Sequence, residues 1–245
     1  MSNRSALTVE KLSYDYAPGK VALRNVSFEV QAGELVGVVG PNGAGKTTLF
    51  LCISGALKGK LGSISVAGLD PFKPAERREL PSKLGILFQD ADDQIFHPTV
   101  FEDVAFGPLN LRVPPEEVKQ RVEEALQHVG LQGKEDHVPF HLSGGEKRRV
   151  ALAGVLAMQP EILLLDEPSG NLDPRGRRAF IQSMKALTDV TRVIASHDLD
   201  LIVETCERCL LLDEGQLIAQ GSTRELLSDD ALLEEHGLEV PWSLR

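Results

Sequence analysis

The sequence predicts an α/β protein whose main sheet is mostly parallel, because short apolar runs alternate with helical patterns along most of the chain. Two stretches depart from this alternation. The first thirty residues hold only strand-like pieces and turns, which predicts an N-terminal antiparallel β-layer. Residues 90–155 hold no strand pattern, which predicts an inserted α-helical subdomain. We therefore expect a single domain over 1–245, with the core and β-layer in 1–89 and 156–228 and a short tail in 229–245.

The expected strands can be read off in chain order. "ALTVEKLSY" and "VSFEV" belong to the β-layer, with turns at "APGK" and "QAG". "ELVGVV" is a continuous apolar run that ends at a glycine, as expected of a parallel strand buried on both faces. The further candidates are "SISVA", "LGILF", "EILLLD", "RVIAS", "CLLLD" and, at an edge of the sheet, "QLIAQG".

Three helices are well marked. "KTTLFLCISGAL" follows the first apolar strand, and another helix is expected over Glu146–Met158. Within the insertion, "PPEEVKQRVEEALQHVG" has prolines at its start and Gly130 where a C′ glycine belongs. The apolar residues of its inner face are Val118, Val122, Leu126 and Val129.

Composition and charge exclude several classes of function. The net charge of −10 disfavours a nonspecific grip on nucleic acid, so no nucleic-acid partner is expected. No run approaches 18 consecutive apolar residues, and the N-terminal segment lacks the apolar stretch of a secretory signal. The 3 cysteines are too few for a disulfide framework, which fits a reducing cytoplasm. "CERC" has neither a second cysteine pair nor nearby histidines, so Cys206 is expected to close a helix and Cys209 to open a strand.

The stretch "GPNGAGKTT" fits the phosphate-binding pattern GxxxxGK[ST] and lies between a buried strand and a helix, the context that the pattern requires. Its glycines permit a loop whose N–H groups point at phosphate oxygens. Lys46 supplies a cation for the β- and γ-phosphates, and the Thr47 hydroxyl can ligate Mg²⁺. We therefore expect a P-loop NTPase core of the RecA-like type that binds ATP and Mg²⁺. The expected nucleotide-binding residues are Gly40, Pro41, Asn42, Gly43, Ala44, Gly45, Lys46, Thr47 and Thr48.

Two carboxylates end the strand in "EILLLDEP". Neighbouring strand residues point to opposite faces, but a turn at the strand end can bring both acids to one site. We expect Asp166 to bind the metal through its water shell and Glu167 to polarise the attacking water. Acids at a strand end are usually solvated surface, and the P-loop upstream in the same predicted sheet is what favours a catalytic role here.

The stretch "HLSGGEKRR" places a serine and two glycines before a helix. Ser143 is a good N-cap residue, and a helix N-terminus left bare by glycines is an anion-binding site. The chain therefore carries two candidate phosphate sites about a hundred residues apart. Glu146 and Arg148 either orient this turn or form an ordinary charged first turn of the helix, and both interpretations stay open at this point.

The motifs "GPNGAGKTT", "FQDADDQ", "LSGGEKRR", "LLLDEP", "NLD" and "ASHD", in this order, resemble those of the nucleotide-binding subunits of ATP-binding-cassette (ABC) transporters, and the resemblance covers essentially the whole chain. It implies that Gln89 ligates Mg²⁺ and reports the nucleotide state to the membrane subunit. It also implies that His197 contacts the γ-phosphate and that Asp173 lies at a subunit interface. Tyr16 is implied to stack on adenine; Tyr14, on the other strand face, and a plain β-layer role are the alternatives.

The resemblance also explains the second phosphate site. In this family two subunits pair head to tail, so Ser143, Gly144 and Gly145 of one subunit would cover the γ-phosphate held by Lys46 of the other. Each dimer then has two composite sites. ATP joins the subunits, and hydrolysis loosens them. Whether the second subunit is an identical chain or a paralogue stays open.

Within that family, "FQDADDQIFHPTVFEDVAFGPLNL" resembles the ATPases of energy-coupling-factor (ECF) importers, which take up vitamins or transition metals. The resemblance implies that Gln94 lies beside a groove that receives a helix of the transmembrane coupling subunit, with the substrate-binding membrane subunit contacted indirectly. The tail "LLEEHGLEVPWSLR" is similar to the cobalt/nickel branch, and the chain stops without the longer extension common among vitamin importers. The expected location is the cytoplasmic face of the cell membrane. The alternatives are a vitamin importer and a soluble ABC ATPase not coupled to transport.

Overall fold

The computed structural model describes residues 5–17, 19–170 and 172–245, and within them it forms two sheets with helices around the larger one. The strands are β1 (Ser5–Ala17), β2 (Lys20–Gln31), β3 (Leu35–Val39), β4 (Leu61–Val66), β5 (Leu84–Leu87), β6 (Ile162–Asp166), β7 (Thr191–Ala195), β8 (Arg208–Asp213) and β9 (Gln216–Ser222). The helices are α1 (Lys46–Ile53), α2 (Pro74–Arg77), α3 (Val100–Asn110), α4 (Pro115–His128), α5 (Gly144–Ala157), α6 (Pro174–Ala186), α7 (Leu199–Thr205), α8 (Thr223–Leu226) and α9 (Asp230–Glu235).

The larger sheet has six strands in the order β5-β6-β7-β3-β8-β9. All its neighbouring pairs are parallel except β8–β9, which is antiparallel and places β9 at the edge, as the sequence predicted. Val38 of β3 and Asp166 of β6 both register with Ala195 of β7. The carboxyl ends of three adjacent strands therefore meet at one edge, which is where ligands bind in open parallel sheets.

The smaller sheet is antiparallel, in the order β2-β1-β4. It confirms the β-layer, and it also takes in "SISVA", which the sequence had grouped with the strands of the α/β alternation. The reason is pairing: Leu7, Val9 and their neighbours in β1 register against β4 along the edge that β2 leaves free. The two sheets share an apolar core that includes Leu12, Val36 and Phe50.

The segment between β5 and β6 is helical, as predicted. Helix α4 buries Val118, Val122 and Leu126, and Gly130 follows its end with φ +68°, a conformation that glycine adopts without a Cβ penalty. Helices α3, α4 and α5 pack on one another, and their apolar residues join the core that also contains Leu87 and Leu165 of the sheet. This packing holds the N-terminus of α5 on the same side of the molecule as the carboxyl ends of the strands.

Helix α1 and the two cysteines near β8 differ in how well they match the sequence-based expectations. Helix α1 is shorter than "KTTLFLCISGAL" suggested and ends at Ile53, because Gly55 adopts φ +73° directly after the cap Ser54. Cys206 caps α7 and Cys209 lies near the start of β8, as expected. Burial raises the pKa of Cys206 to about 12 and of Cys209 to about 11, so both remain thiols at neutral pH. In the described ranges, no helix combines the length and apolarity that crossing a bilayer requires.

Candidate functional site

The phosphate loop connects β3 to α1 through three glycines with positive φ: Gly40 at 153°, Gly43 at 85° and Gly45 at 103°. A Cβ at Gly40 would lie 2.0 Å from the Leu212 carbonyl oxygen, so position 40 excludes any other residue. Gly45 stands at the N-cap of α1, and no side chain in the described part of the chain caps this helix. The backbone N–H groups of the first turn are thus left for a ligand.

Lys46 is the buried cation of this loop, with 7% of its surface exposed. Its Nζ donates to the carbonyl oxygens of Gly40 at 2.7 Å and Pro41 at 3.1 Å and lies 4.0 Å from Glu167 Oε1. Burial lowers the pKa of Lys46, and the charges of Glu167 and Asp166 oppose that shift. The ammonium is held at the loop by backbone carbonyls, which phosphate oxygens could replace as acceptors.

Thr47 and Asp166 form a pair of oxygen ligands next to Lys46. The Thr47 hydroxyl donates to Asp166 Oδ2 at 2.7 Å, while the buried Oδ1 finds no hydrogen-bond partner among the described residues. Burial raises the pKa of Asp166, and the hydrogen bond from Thr47 opposes the shift. A buried carboxylate oxygen without a partner costs free energy, and Mg²⁺ with its water shell accepts such hard oxygen ligands. These residues therefore fit Mg²⁺.

Glu167 follows β6 in a strained conformation with φ +47°. This turn brings both acids to the same edge, as the sequence predicted, and it aims the Glu167 carboxylate at the start of the loop after β7. Oε2 accepts from Ser196 Oγ at 2.9 Å and lies 2.9 Å from His197 Nδ1, and Oε1 accepts from the His197 N–H at 3.0 Å. The carboxylate is thus fixed in place while the His197 side chain stays 63% exposed.

A cleft of about 460 Å³ unites most of the predicted residues. Tyr16 lines it, half exposed, with its hydroxyl 3.1 Å from Thr48 Oγ1. Tyr14 does not line it and instead meets the Tyr16 ring edge-on at a centroid distance of 5.1 Å, so Tyr16 is the aromatic residue at the cleft. The other predicted residues that line the cleft are Asn42, Gly43, Ala44, Gly45, Lys46, Thr47, Thr48, Gln89, Asp166, Glu167 and His197.

The segment after β5 continues into a neighbouring cleft of about 550 Å³, which shares Thr47, Gln89 and Asp166 with the first. Gln94 does not line the cleft of about 460 Å³. Its amide accepts from the Phe88 N–H at 2.8 Å and donates to the Ile86 carbonyl at 3.0 Å. Gln94 thereby holds the backbone of residues 86–88, directly before Gln89, in place.

Ser143 caps α5, as the sequence predicted, so the helix end is not bare as the two glycines had suggested. Ser143 Oγ accepts from the Glu146 N–H at 3.3 Å, and Glu146 Oε2 accepts from the Ser143 N–H at 2.9 Å, which together form a capping box. Lys134 pairs with the other oxygen of Glu146, and these bonds lower the pKa of Glu146 to about 2. Ser143 and Gly144 are exposed, and Gly145 is partly buried. The turn is therefore preformed without a ligand.

Glu146 and Arg148 have separate roles, which resolves the alternatives left by the sequence. Glu146 orients the turn. Arg148 is buried and reaches away from the turn, donating to the backbone carbonyls of Gln89 and Gly170. Its only sequence signal was an inward position on a helix that is otherwise apolar on that side.

Two further residues complete the account. Asp173 caps α6 by accepting from the Gly176 N–H at 2.6 Å, is exposed, and lines neither cleft; its neighbour Asn171 lies outside the described residues. Ser196, which sequence reasoning missed, is fully buried and holds both Glu167 and the Asp198 N–H. A small polar residue between an apolar strand and His197 was the available signal for it.

The site gathers a buried cation, hard oxygen ligands and a fixed carboxylate around a phosphate-sized loop, a set suited to transfer of a phosphoryl group to water.

The family model described as "ABC transporter" matches residues 23–170. The chain is 46% identical over 239 residues to the energy-coupling factor transporter ATP-binding protein EcfA of Methanothermobacter thermautotrophicus, covering 96% of this chain and 76% of the relative.

Solved structures agree with the sequence comparison. The chain superposes on cbiO1 of Clostridium perfringens, part of the ABC transporter complex cbiONQ, with a TM-score of 0.84, 35% identity and 94% of each chain covered. It also superposes on the ATP-binding cassette MJ0796, solved as a dimer in a post-hydrolysis state with ADP and phosphate, with a TM-score of 0.80 and 27% identity over 89% of this chain and 98% of that one.

Proposed function

The chain belongs to the ABC transporter family of ATP-binding subunits, and from that premise we propose that it powers uptake of cobalt or nickel ions through an ECF-type importer. It is an ATPase that uses ATP with Mg²⁺, and its hydrolysis of ATP to ADP and phosphate is coupled to transport. The proposal concerns the roles of individual residues, the contacts with partners, and the solute.

One observation carries the residue assignments: Lys46, Thr47, Asp166, Glu167 and His197 converge on one cleft at the carboxyl edge of the sheet. Lys46 would exchange its two loop carbonyls for the β- and γ-phosphate oxygens. Thr47, Asp166 and Gln89 would hold Mg²⁺, which supplies charge neutralisation at the phosphates when bound. Glu167 would orient the attacking water, and the exposed His197 ring would contact the γ-phosphate. Tyr16 would stack on adenine at the open end of the cleft.

The second half of each site comes from a second subunit. Ser143, Gly144 and Gly145 would cover the γ-phosphate held by the partner, and Asp173 would lie at the interface between the two. The exposure of Ser143, Gly144 and Asp173 supports this assignment, because an interface that closes only around ATP must be solvated before closure. Loss of the γ-phosphate then removes ligands from both subunits at once, and the dimer opens.

We propose that residues 90–155 form a helical subdomain, distinct from the core of 1–89 and 156–228 and from the tail of 229–245. The membrane partner would dock at this helical subdomain. A groove of about 200 Å³ there is lined by Gln94, Phe96, Phe106 and Met158, among others. Phe96 and Phe106 are 61% and 44% exposed. An apolar groove beside the segment that presents Gln89 could transmit the nucleotide state to a transmembrane coupling subunit, with the chain peripheral on the cytoplasmic face.

Cobalt or nickel as the solute is supported by the resemblance of "LLEEHGLEVPWSLR" to that branch and by the superposition on cbiO1. The experiment is uptake of radioactive cobalt, nickel and vitamins by cells that lack this chain. We expect cobalt or nickel uptake to fall and to return with the wild-type chain but not with Glu167→Gln. Loss of vitamin uptake alone would assign the vitamin branch, and no loss of any uptake would contradict a transport role.

A further inference from the structure

Arg148 occupies an unusual position for a charged side chain. It lies in the second turn of α5 with 7% of its surface exposed. One terminal nitrogen donates to the carbonyl of Gly170 and the other to the carbonyl of Gln89. A single guanidinium thus ties the inserted helix to two separate loops of the core. We call this pair of bonds the Arg148 clasp.

Burying the charged guanidinium of Arg148 costs free energy, and nearby carboxylates offset part of that cost. Burial lowers the pKa of Arg148, while the charges of Asp90, Glu167 and Asp166 oppose that shift. Arginine suits the position because its planar fork can serve two acceptors in fixed directions, which a lysine cannot do. A Cβ at Gly170 would lie 2.9 Å from the Arg148 guanidinium, so the glycine there allows the close approach.

Both loops held by the clasp border clefts of the candidate site in the same chain, and Gly170 lines the cleft of about 550 Å³. Gln89 lines the cleft of about 460 Å³ together with Thr47 and Asp166. Gly170 belongs to the turn after Glu167, and its N–H donates to the Glu167 carbonyl at 3.2 Å. A shift of the backbone at Gln89 or in the turn after Glu167 would therefore move the carbonyls that Arg148 holds.

The N-terminus of α5 carries the turn before the helix, and Gly144 of this turn lines the cleft of about 550 Å³ together with Gln89 and Arg148. Ser143, Gly144 and Gly145 stand at its N-terminus, three to five residues before Arg148, which is about 5 to 7 Å along the helix axis. The capping box keeps this turn in one shape, so the turn moves with the helix as a body. The clasp is thus placed to convert a shift of the core loops into a shift of the turn.

We propose that Arg148 is a positioning residue that links the two composite ATP sites of a dimer: nucleotide bound in the chain's own cleft sets, through the clasp, the orientation of the turn offered to the partner's nucleotide. This inference rests on the composite-site arrangement of the proposed function. Arg148 does not line the cleft that holds Lys46 and Glu167.

Arg149, the next residue of the same helix, is the matched control. Its guanidinium approaches the carbonyls of Val129, Gly130 and Gly145, all of which lie in the helical segment. It therefore has an arginine's size and charge without reaching the core loops. A purely structural role for an arginine on α5 would make the two positions similar in effect.

The first test measures amide hydrogen exchange of 144–157 with and without ATP and Mg²⁺, at a dilution where sedimentation shows only monomers. Only the chain's own cleft can then pass a signal to α5. We expect ATP to slow exchange about fivefold or more in the wild type and in Arg149→Met, in line with ordinary coupling between sites. Arg148→Met should lose that response, and Arg148→Lys should retain part of it. A wild type without the response, or an Arg148→Met variant that keeps it, would overturn the inference.

The second test separates this inference from the composite site. Arg148→Met should leave the ATP affinity of the monomer within about twofold and lower kcat by about tenfold to hundredfold, as misplacement of a distant group does. An unchanged kcat would also overturn the inference. The composite site is tested independently by Ser143→Arg: if that variant retains full ATPase activity, the composite site fails, whatever the exchange result at Arg148.

Discussion

Two glycine-containing turns of this chain each lead into a helix and are each proposed to meet the same γ-phosphate from opposite subunits, yet they are built differently. The loop before α1 has no side-chain cap and holds a buried ammonium against its own carbonyls. The turn before α5 has a complete capping box and an ion pair behind it. One turn leaves its donors for a ligand, and the other satisfies much of its own bonding.

The difference indicates that one turn binds the nucleotide and the other closes the dimer. A loop with unsatisfied donors and a desolvated cation gains free energy from phosphate and can bind nucleotide alone. A turn whose shape is already fixed needs no ligand to form it, so it can wait exposed to solvent and add contacts only when a loaded partner arrives. Affinity should therefore reside in the loop before α1, and closure of the dimer in the turn before α5.

The largest expected effect is on ATP hydrolysis, in a variant whose two turns can still close around ATP. Glu167→Gln removes the group that orients water while leaving both turns intact, so hydrolysis should fall about 10²- to 10⁴-fold. ATP affinity should be unchanged, and a nucleotide-bound dimer should accumulate, as measured by steady-state ATPase assays and size-exclusion chromatography. Glu161→Gln, at the other end of β6, is the control. Unchanged turnover in Glu167→Gln would remove Glu167 from this role.

The turn before α5 can be tested alone with Ser143→Arg, which adds bulk and positive charge where closure is proposed. ATPase activity should fall about 10²- to 10³-fold, as when one donor to a developing charge is lost, while the monomer still binds ATP. Because the change also removes a helix cap, Thr99→Arg is the control: Thr99 and Glu102 form the same capping box on α3. A Ser143→Arg variant that dimerises with ATP would disprove the composite site.

A substitution in the loop before α1 should weaken ATP binding itself, which Ser143→Arg is expected to leave intact. Lys46→Ala deletes a cation bound at the phosphates, and the ATP dissociation constant should rise about tenfold to hundredfold, the usual cost of a charged hydrogen bond. The measurement is equilibrium binding of a fluorescent ATP analogue to the monomer. Lys58→Ala, an exposed lysine that does not line the cleft, should bind normally. Unaltered affinity in Lys46→Ala would place the affinity outside this loop.

The two turns also differ in how far their sequence predicted them. The pattern "GPNGAGKTT" predicted the loop before α1 because glycine and lysine spacing directly specifies the backbone conformation and the charge. The strands of the larger sheet and the edge position of β9 were also predicted, since buried parallel strands have a distinctive composition. The pattern "LSGGE" predicted Ser143 as the N-cap, which is confirmed, but the helix end was expected to be bare because the Ser-x-x-Glu spacing of a capping box was not used. The Ser196 and Arg148 contacts were missed for a similar reason: each joins segments far apart in sequence.

The smallest expected effect concerns the preformed state of the second turn. Glu146→Ala removes one side of the capping box and the ion pair with Lys134, and it should lower the free energy of unfolding by about 1 kcal/mol, a typical cap contribution. The folded pKa of Glu146 is about 2, below its ordinary value of 4.5, so this carboxylate stabilises the fold above pH 4.5 and its contribution disappears as pH falls toward 2. The difference between wild type and Glu146→Ala in urea unfolding should therefore be full at pH 7 and shrink through that window.

Glu146→Gln is the informative control for this difference, because glutamine can keep the capping box but not the charge. If the box is what fixes the turn, Glu146→Gln should retain most of the stability at neutral pH and lose the pH dependence assigned to Glu146. ATP affinity of the monomer should be the same in all three proteins, since the loop before α1 does not depend on this turn. A Glu146→Ala variant with full stability at pH 7 would mean that the turn is not held by its own side chains, and the contrast between a ligand-dependent loop and a self-supporting turn would no longer stand.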